Sequence, residues 1–288
     1  MHEGLLNIDK PTGMTSHDVV GRVRRVAGLR RVGHTGTLDP LATGVLVVCL
    51  GRATRLVEYV VGRPKTYEAV VKLGESTNTY DSDGEVTQER PLPADLSVEA
   101  LEQALDPFRG EISQIPPMYS AIKKDGQPLY KLARQGKVIE RPPRQVTVYE
   151  LSQLNWVEDT LTLRVTCSAG TYIRSIAHDL GEALGCGAHL TALRRTAVGQ
   201  FTAGNAVKLD DLTPENVAGY LAPADTAVTH MPHIDLDDAR LTDLRHGRPI
   251  PRIEADPDEE LVCVYDNGRF MGLVIKNDGR WKAHKLFV

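Results

Sequence analysis

Residues 32–44 read Val-Gly-His-Thr-Gly-Thr-Leu-Asp-Pro-Leu-Ala-Thr-Gly and run straight into the apolar stretch Val45 to Leu50. An apolar run of that length beside glycine reads as a buried strand. Any fold must therefore set a glycine-rich loop at the end of a core strand. Gly33, Gly36 and Gly44 let the backbone turn tightly or approach a ligand closely. Pro40 pushes Asp39 out of the helical region and stiffens the display of its carboxylate. A long loop holding one acid ahead of a core strand is where an active site is often built. The residue pattern alone leaves two readings of Asp39, an active-site acid and the cap of a turn.

The rest of the chain reads as alternating helices and strands. Residues 4–9 suggest a strand and 10–13 a turn. Ser16 is placed to cap a helix over 17–27, with Val19, Val20, Val23 and Val26 on one face. A helix over 53–60 and an alternating strand over 66–73 follow. Residues 75–96 are polar and rich in turn formers, so the expectation is a long mobile loop. A helix is expected over 97–105, and 110–144, rich in proline and basic groups, is expected to cover the surface. Strands are expected over 145–150 and 161–167, a helix over 172–184, and a strand over 188–193. After about residue 230 the character changes to a short helix over 237–245 and strands over 261–265, 269–275 and 281–287. Asp266-Asn267-Gly268 and Asn277-Asp278-Gly279 are hairpin turns. Two domains are expected, 1–230 and a small β domain over 231–288.

Composition bounds the class. The net charge of -4 argues mildly against nucleic acid, but Arg22, Arg24, Arg25, Arg30 and Arg31 fall close together with Asp18 the one acid nearby. Local potential governs contact with a phosphate backbone; the cluster alone also fits the wet face of an amphipathic helix. Cys49, Cys167, Cys186 and Cys263 are far apart and form no C-x-x-C pair, so they read as reduced core thiols, not zinc ligands. No apolar run nears the roughly 18 residues of a membrane span. Met1-His2-Glu3-Gly4 lacks a signal segment, and a cytoplasmic protein is expected.

Five segments together resemble one family. The loop 34–44, Gly4 to Ser16, Lys65-Thr66-Tyr67-Glu68-Ala69, Ser168 to Ser175 and Gly187 to Arg195 match, in order, motifs of the TruB family, the tRNA pseudouridine(55) synthases. The resemblance implies an α/β (α+β) catalytic domain with a mixed, mainly antiparallel sheet, and a small C-terminal PUA-like RNA-binding domain. It implies that Asp39 is the nucleophile. Tyr67 resembles the tyrosine that stacks on the target uracil, its phenol able to help remove the carbon-5 proton. Arg174 resembles the arginine that pairs with the catalytic acid and keeps it ionised. Tyr172 and Leu193 resemble residues lining the uracil pocket, and His34 the histidine that stabilises the rearranged RNA loop. From pattern alone, Tyr67 and Leu193 are also ordinary core residues, Arg174 an exposed helical arginine, and His34 a turn histidine. Lys10 reads as structural.

The implied reaction flips uridine 55 out of the T loop of tRNA and isomerises it to pseudouridine. No metal, nucleotide or organic cofactor is expected, since nothing in the chain resembles a site for one. The expected partner is tRNA, through its T arm and, by way of Lys276, Arg280, Lys282 and Lys285, its acceptor stem; no membrane and no obligatory protein partner are expected. Three rivals stand beside this reading: a guide-RNA-dependent synthase related to dyskerin, which shares the loop but carries longer basic extensions; an RNA-folding protein for which catalysis is incidental; and a small-molecule enzyme using Asp39.

Overall fold

The computed structural model describes residues 2–124 and 126–287. The larger part of the chain runs β1 (Gly4–Lys10), α1 (Ser16–Ala27), β2 (Val32–His34), β3 (Thr43–Leu50), α2 (Val57–Val61), β4 (Lys65–Leu73), β5 (Glu75–Thr77), β6 (Val86–Glu89), α3 (Val98–Leu105), β7 (Gly110–Gln114), β8 (Lys123–Lys124), β9 (Gln127–Pro128), α4 (Leu129–Ala133), β10 (Arg144–Val157), β11 (Thr160–Cys167), α5 (Ile173–Ala183), β12 (Ala188–Val198), β13 (Phe201–Thr202) and β14 (Val207–Lys208). One ten-stranded sheet has the order β14-β1-β3-β12-β4-β11-β10-β7, with β2 added on β3 and β13 on β12. Only the β1–β14 and β3–β12 pairs in it are parallel, so the sheet is mixed and mainly antiparallel, as expected.

The apolar run of β3 follows from its place in this sheet. Leu46, Val48 and Leu50 face one core with Val19, Val20 and Val23 of α1. Val45, Val47 and Cys49 face a second core on the opposite side. A strand covered on both faces needs apolar residues at every position rather than at alternate ones. By contrast β4 buries Lys65, Tyr67, Ala69, Val71 and Leu73 and leaves the residues between them half-exposed, the period-two pattern of a strand with one covered face.

The second core belongs to both parts of the chain. It contains Leu5, Val45, Val47 and Cys49 beside Val228, Cys263, Leu273 and Phe287. The last residues form β15 (His233–Asp235), α6 (Asp238–Arg245), β16 (Ile250–Pro251), β17 (Leu261–Asp266), β18 (Arg269–Asn277) and β19 (Arg280–Leu286). Their five-stranded sheet, in the order β15-β17-β18-β19-β16, encloses a core of its own around the fully buried Trp281. It is the PUA-like domain the resemblance implied. Asn267 and Gly268, like Asp278 and Gly279, have positive φ, as two-residue hairpin turns of this kind require. All four cysteines are buried and free.

Several local expectations are corrected. Helix α1 is capped by Thr15, not Ser16: the Thr15 side chain accepts from the Asp18 amide and the Asp18 carboxylate accepts from the Thr15 amide. Residues expected as a helix over 53–60 form a 3-10 turn from Gly51 to Leu56 and only then α2. Strand β12 continues past 193 to Val198 because Arg194 and Arg195 pair with both β3 and β4. Residues 75–96 are not a free loop; β5 and β6 pair, and the turn between them is bound to β12. Among the described residues no helix is long and apolar enough to cross a membrane.

Candidate active site

The catalytic loop is held at Gly36, Leu38, Pro40 and Ala42 by side chains from distant motifs. The Ser16 hydroxyl accepts from the Leu38 amide at 2.8 Å and donates to the Leu38 carbonyl at 3.1 Å. Lys10 is fully buried, and its ammonium donates to the carbonyls of Pro11 at 2.8 Å, Pro40 at 3.3 Å and Ala42 at 2.6 Å. The Gly13 amide reaches the Pro40 carbonyl at 2.8 Å. From the other side, Arg195 Nε donates to the Val45 carbonyl at 2.7 Å and Nη2 to the Gly36 carbonyl at 3.2 Å. Gly44 has φ +96, and a side chain there would lie 2.2 Å from the Arg195 carbonyl oxygen. Three of the sequence motifs thus converge on one clamp whose product is the position of Asp39.

Asp39 projects from this clamp with 37 % of its side chain accessible, and Arg174 Nε lies 3.0 Å from its Oδ2. Arg174 leads α5 and is itself buried. Its Nη1 meets Asp81 at 3.1 Å and the Thr79 carbonyl at 3.1 Å, and its Nη2 meets the Tyr119 carbonyl at 2.8 Å. All three guanidinium nitrogens are engaged, so the fork is fixed in direction as well as charge. Burial raises the Asp39 carboxyl above its ordinary value; Arg174 works against that, and the nearby Asp81 adds to it. The same enclosure pulls the Lys10 ammonium down to about 8, opposed by Asp39.

Tyr67 lies on β4 directly opposite Arg195, close enough for the guanidinium charge to act on its phenol. Burial pushes its phenol up, Arg195 counteracts this, and Asp39 is close enough to contribute. Leu193 pairs with Ala69 in the same register and packs in the same core as Tyr67. Tyr172 precedes α5; its amide and carbonyl are both bonded to the Gln114 side chain at 2.8 and 2.9 Å, and burial raises its phenol pKa. The structure therefore gathers Asp39, Tyr67, Arg174 and Tyr172 around one point, with Leu193 beside Tyr67. His34 stands apart, at the start of the loop: its Nδ1 accepts from the Gly36 amide at 3.2 Å and its ring meets His17 edge-on. No bond between His34 and Asp39 exists among the described residues.

Two members of the site carried no role in the sequence reading. Asp81 lay in the stretch expected to be mobile, and nothing in its polar surroundings separates it from Asp83. Arg195 lay inside a recognised motif. It is buried to 2 %, and no carboxylate pairs with it among the described ion pairs. A buried cation whose described hydrogen bonds go to carbonyls alone is a costly arrangement, which marks it as part of the site's electrostatics.

Known proteins resemble this chain over nearly its whole length. Residues 24–173 match the model of the TruB family pseudouridylate synthase (N terminal domain), 174–229 the tRNA pseudouridylate synthase B C-terminal domain, and 232–287 Pseudouridine synthase II TruB, C-terminal. A tRNA pseudouridine synthase B of Dehalococcoides mccartyi (strain CBDB1) is 45% identical over 99% of this chain and 97% of its own length. That of Azoarcus sp. (strain BH72) is 45% identical over 99% of this chain and 93% of its own. Among solved structures, a Cbf5-Nop10-Gar1 complex has a chain 29% identical to this one, with TM-score 0.74 over 99% of this chain and 85% of that one. With the loop, the sheet and the C-terminal domain all matched, the chain belongs to the TruB family of pseudouridine synthases.

Proposed function

We propose that this protein isomerises uridine 55 of tRNA to pseudouridine, with Asp39 as the nucleophile. The observation that carries this reading is the Asp39–Arg174 pair: a carboxylate open on one side and oriented on the other at 3.0 Å by a buried arginine. In the reaction the bond from ribose carbon 1′ to base nitrogen 1 breaks, the uracil turns, and carbon 5 joins carbon 1′. Attack on the ribose, attack on the base and removal of a ribose proton all start from the ionised carboxylate. A covalent adduct of Asp39 divides one difficult step into easier ones. The proton lost from carbon 5 is balanced by one gained at nitrogen 1. Tyr67, whose phenol lies within the field of Arg195, is the group whose residue type and position suit that transfer.

The target base must leave the stacked T loop at a cost of a few kcal/mol, and a ring under the base returns roughly 1–3 kcal/mol. Tyr67 and Tyr172 offer rings inside the site, and Leu193 an apolar wall. His34, at the rim beside His17, is suited to the emptied loop instead of the base. The T arm approaches past the exposed Arg24, Arg25, Arg30 and Arg31, and the C-terminal domain extends the contact toward the acceptor stem. Relatives named for a tRNA reaction match at 45% identity, against 29% for the Cbf5 chain, and this favours action without a guide RNA. Incubating the purified protein with unmodified tRNA and mapping pseudouridine tests the reading. Conversion at uridine 55 without guide RNA is expected; no conversion, or conversion only with a guide, overturns it.

A further inference from the structure

Tyr80 is the odd residue of the turn that carries Asp81. It is neither glycine nor asparagine, yet its φ is +66, in the left-handed region that a bulky side chain avoids. Such a conformation persists only where the surroundings hold it. The turn is tied on both sides: the Leu190 amide donates to the Tyr80 carbonyl at 3.0 Å, and the Ser82 amide to the Leu190 carbonyl at 2.9 Å. The ring is held as well. Tyr80 stacks on His178 with centroids 3.8 Å apart and planes 9° from parallel. His178 lies on α5 one turn after Arg174, on the same face of the helix.

Both neighbours of Tyr80 bind Arg174. Thr79 supplies its carbonyl to Nη1, and Asp81 its carboxylate to the same nitrogen. The Thr79 hydroxyl in turn donates to Asp81 Oδ1 at 2.5 Å. One helix therefore presents both the arginine and the ring, and one turn answers both. Burial lowers the His178 pKa, which favours the neutral ring in the stack.

We propose that the Tyr80–His178 stack is a positioning device for the reaction: it holds the 79–81 turn against α5 so that Arg174 keeps its Nε on Asp39. Tyr80 and His178 are positioning residues; neither touches the reacting atoms. The inference rests on the proposed reaction, and wild-type protein and Asp39→Asn assayed in parallel keep the two separable. If wild type forms no pseudouridine, the reaction reading fails; if wild type is active and Asp39→Asn is not, the stack is tested on its own.

The test is a pair of substitutions with a rescue, read as single-turnover rate and as KM for tRNA. His178→Ala is expected to slow the chemical step about tenfold to a hundredfold, the scale on which small misplacements act, with KM changed less than about twofold. His178→Phe keeps a flat ring and is expected to recover most of the rate. Tyr80→Gly relieves the backbone but loses the ring, and is expected to match His178→Ala. The double variant should be no slower than either single one, since both remove one interaction. If His178→Ala does not fold, as judged by its thermal transition, His178→Leu replaces it, filling the volume without a flat face. Wild-type rates in a folded His178→Ala or His178→Leu variant overturn the proposal. So does a loss seen only in KM, or additive losses in the double variant.

Discussion

Arg174 Nε stands 3.0 Å from the Asp39 carboxylate while Arg174 Nη1 stands 3.1 Å from Asp81. One guanidinium thus serves an acid exposed for chemistry and an acid buried for support. The exposed one can leave for a covalent step without stranding the cation, because the buried one remains.

Asp39→Asn is expected to abolish turnover, by roughly four orders of magnitude or more, while tRNA binding survives, since the amide keeps shape and loses the nucleophile. The rate should rise with pH along an acid limb lying above the ordinary carboxylate range, because burial raises this carboxyl. The linked stability has the opposite sign: the unfolded chain releases this proton first, so folding stability is lost as pH rises through the raised value. Melting curves should therefore show Asp39→Asn gaining on wild type as pH rises above the ordinary carboxylate range. Full-rate turnover by the variant removes Asp39 from the mechanism.

Arg174→Met should cost about 3–5 kcal/mol of stability, because it strands Asp81 in a buried site. Arg174→Lys should cost less stability but still lose most of the turnover. A single ammonium cannot meet Asp39, Asp81 and two carbonyls in the directions a fork can. Urea unfolding and single-turnover rates separate the two effects; normal turnover in Arg174→Lys would show that charge without direction is enough.

Tyr67→Phe keeps the ring and removes the hydroxyl that feels the Arg195 charge. If the phenol moves the carbon-5 proton, the rate should fall roughly 10²–10⁴-fold, and tRNA deuterated at carbon 5 of the target should show a primary isotope effect. Arg195→Met should produce the same isotope effect through Tyr67. Near-normal rates in Tyr67→Phe would assign the ring to stacking alone.

Lys10 supplies three donors to three carbonyls around the loop, and burial brings its pKa down to about 8. Above that pH the amine has only two protons to donate, so turnover should fall along a basic limb centred near 8. Stability moves the other way. Between about 8 and the ordinary lysine value the unfolded chain binds the extra proton, so this group makes folding stability rise with pH. Lys10→Met should start from a lower rate and lack this contribution to the limb, though Lys65, also near 8, keeps its own. A Lys10→Met profile identical to that of wild type would leave Lys10 without a role in the loop.

The catalytic loop was legible because its residues are unusual in type: glycines, a proline and one acid ahead of an apolar strand. The two-sided burial of Val45 to Leu50 and the alternation of β4 showed in the order of apolar residues. Asp81 did not show. Its function depends on Arg174, which lies far along the chain, and its own neighbours are those of any polar turn. Ser16 was read as a cap because its spacing suits one; Thr15 takes that role, and the Ser16 hydroxyl holds Leu38. Periodicity reports which face a residue turns toward the core, not which distant backbone atom it meets there. Lys285 shows the same limit. A basic residue on a terminal strand suggests RNA, but Lys285 donates to the Arg55 carbonyl at 2.7 Å and pairs with Glu58.

The C-terminal domain also braces the catalytic sheet. Its sheet shares a core with the back of β3. Arg52 and Arg55 each donate at 2.6 Å to its carbonyls, at Phe287 and Leu286. Deleting residues after about 230 would uncover Val45, Val47 and Cys49 directly behind the catalytic loop. The truncated protein should melt well below wild type, and its activity would not isolate an RNA contact. Charge reversal at residues that do not bridge the two parts is the better experiment. Arg280 and Lys282 are exposed on β19, and Lys276 is half-exposed with Asp258 3.7 Å away. Arg280→Glu with Lys282→Glu should leave the melting temperature nearly unchanged and raise KM for whole tRNA more than for a T-arm hairpin. The plot of log affinity against log salt should lose about 0.9 in slope for each duplex phosphate contact removed. Saturated turnover should change little, because these residues lie outside the site. If the double variant binds whole tRNA as wild type does across the salt series, this face of the domain does not meet RNA, and its contribution is the shared core that supports β3.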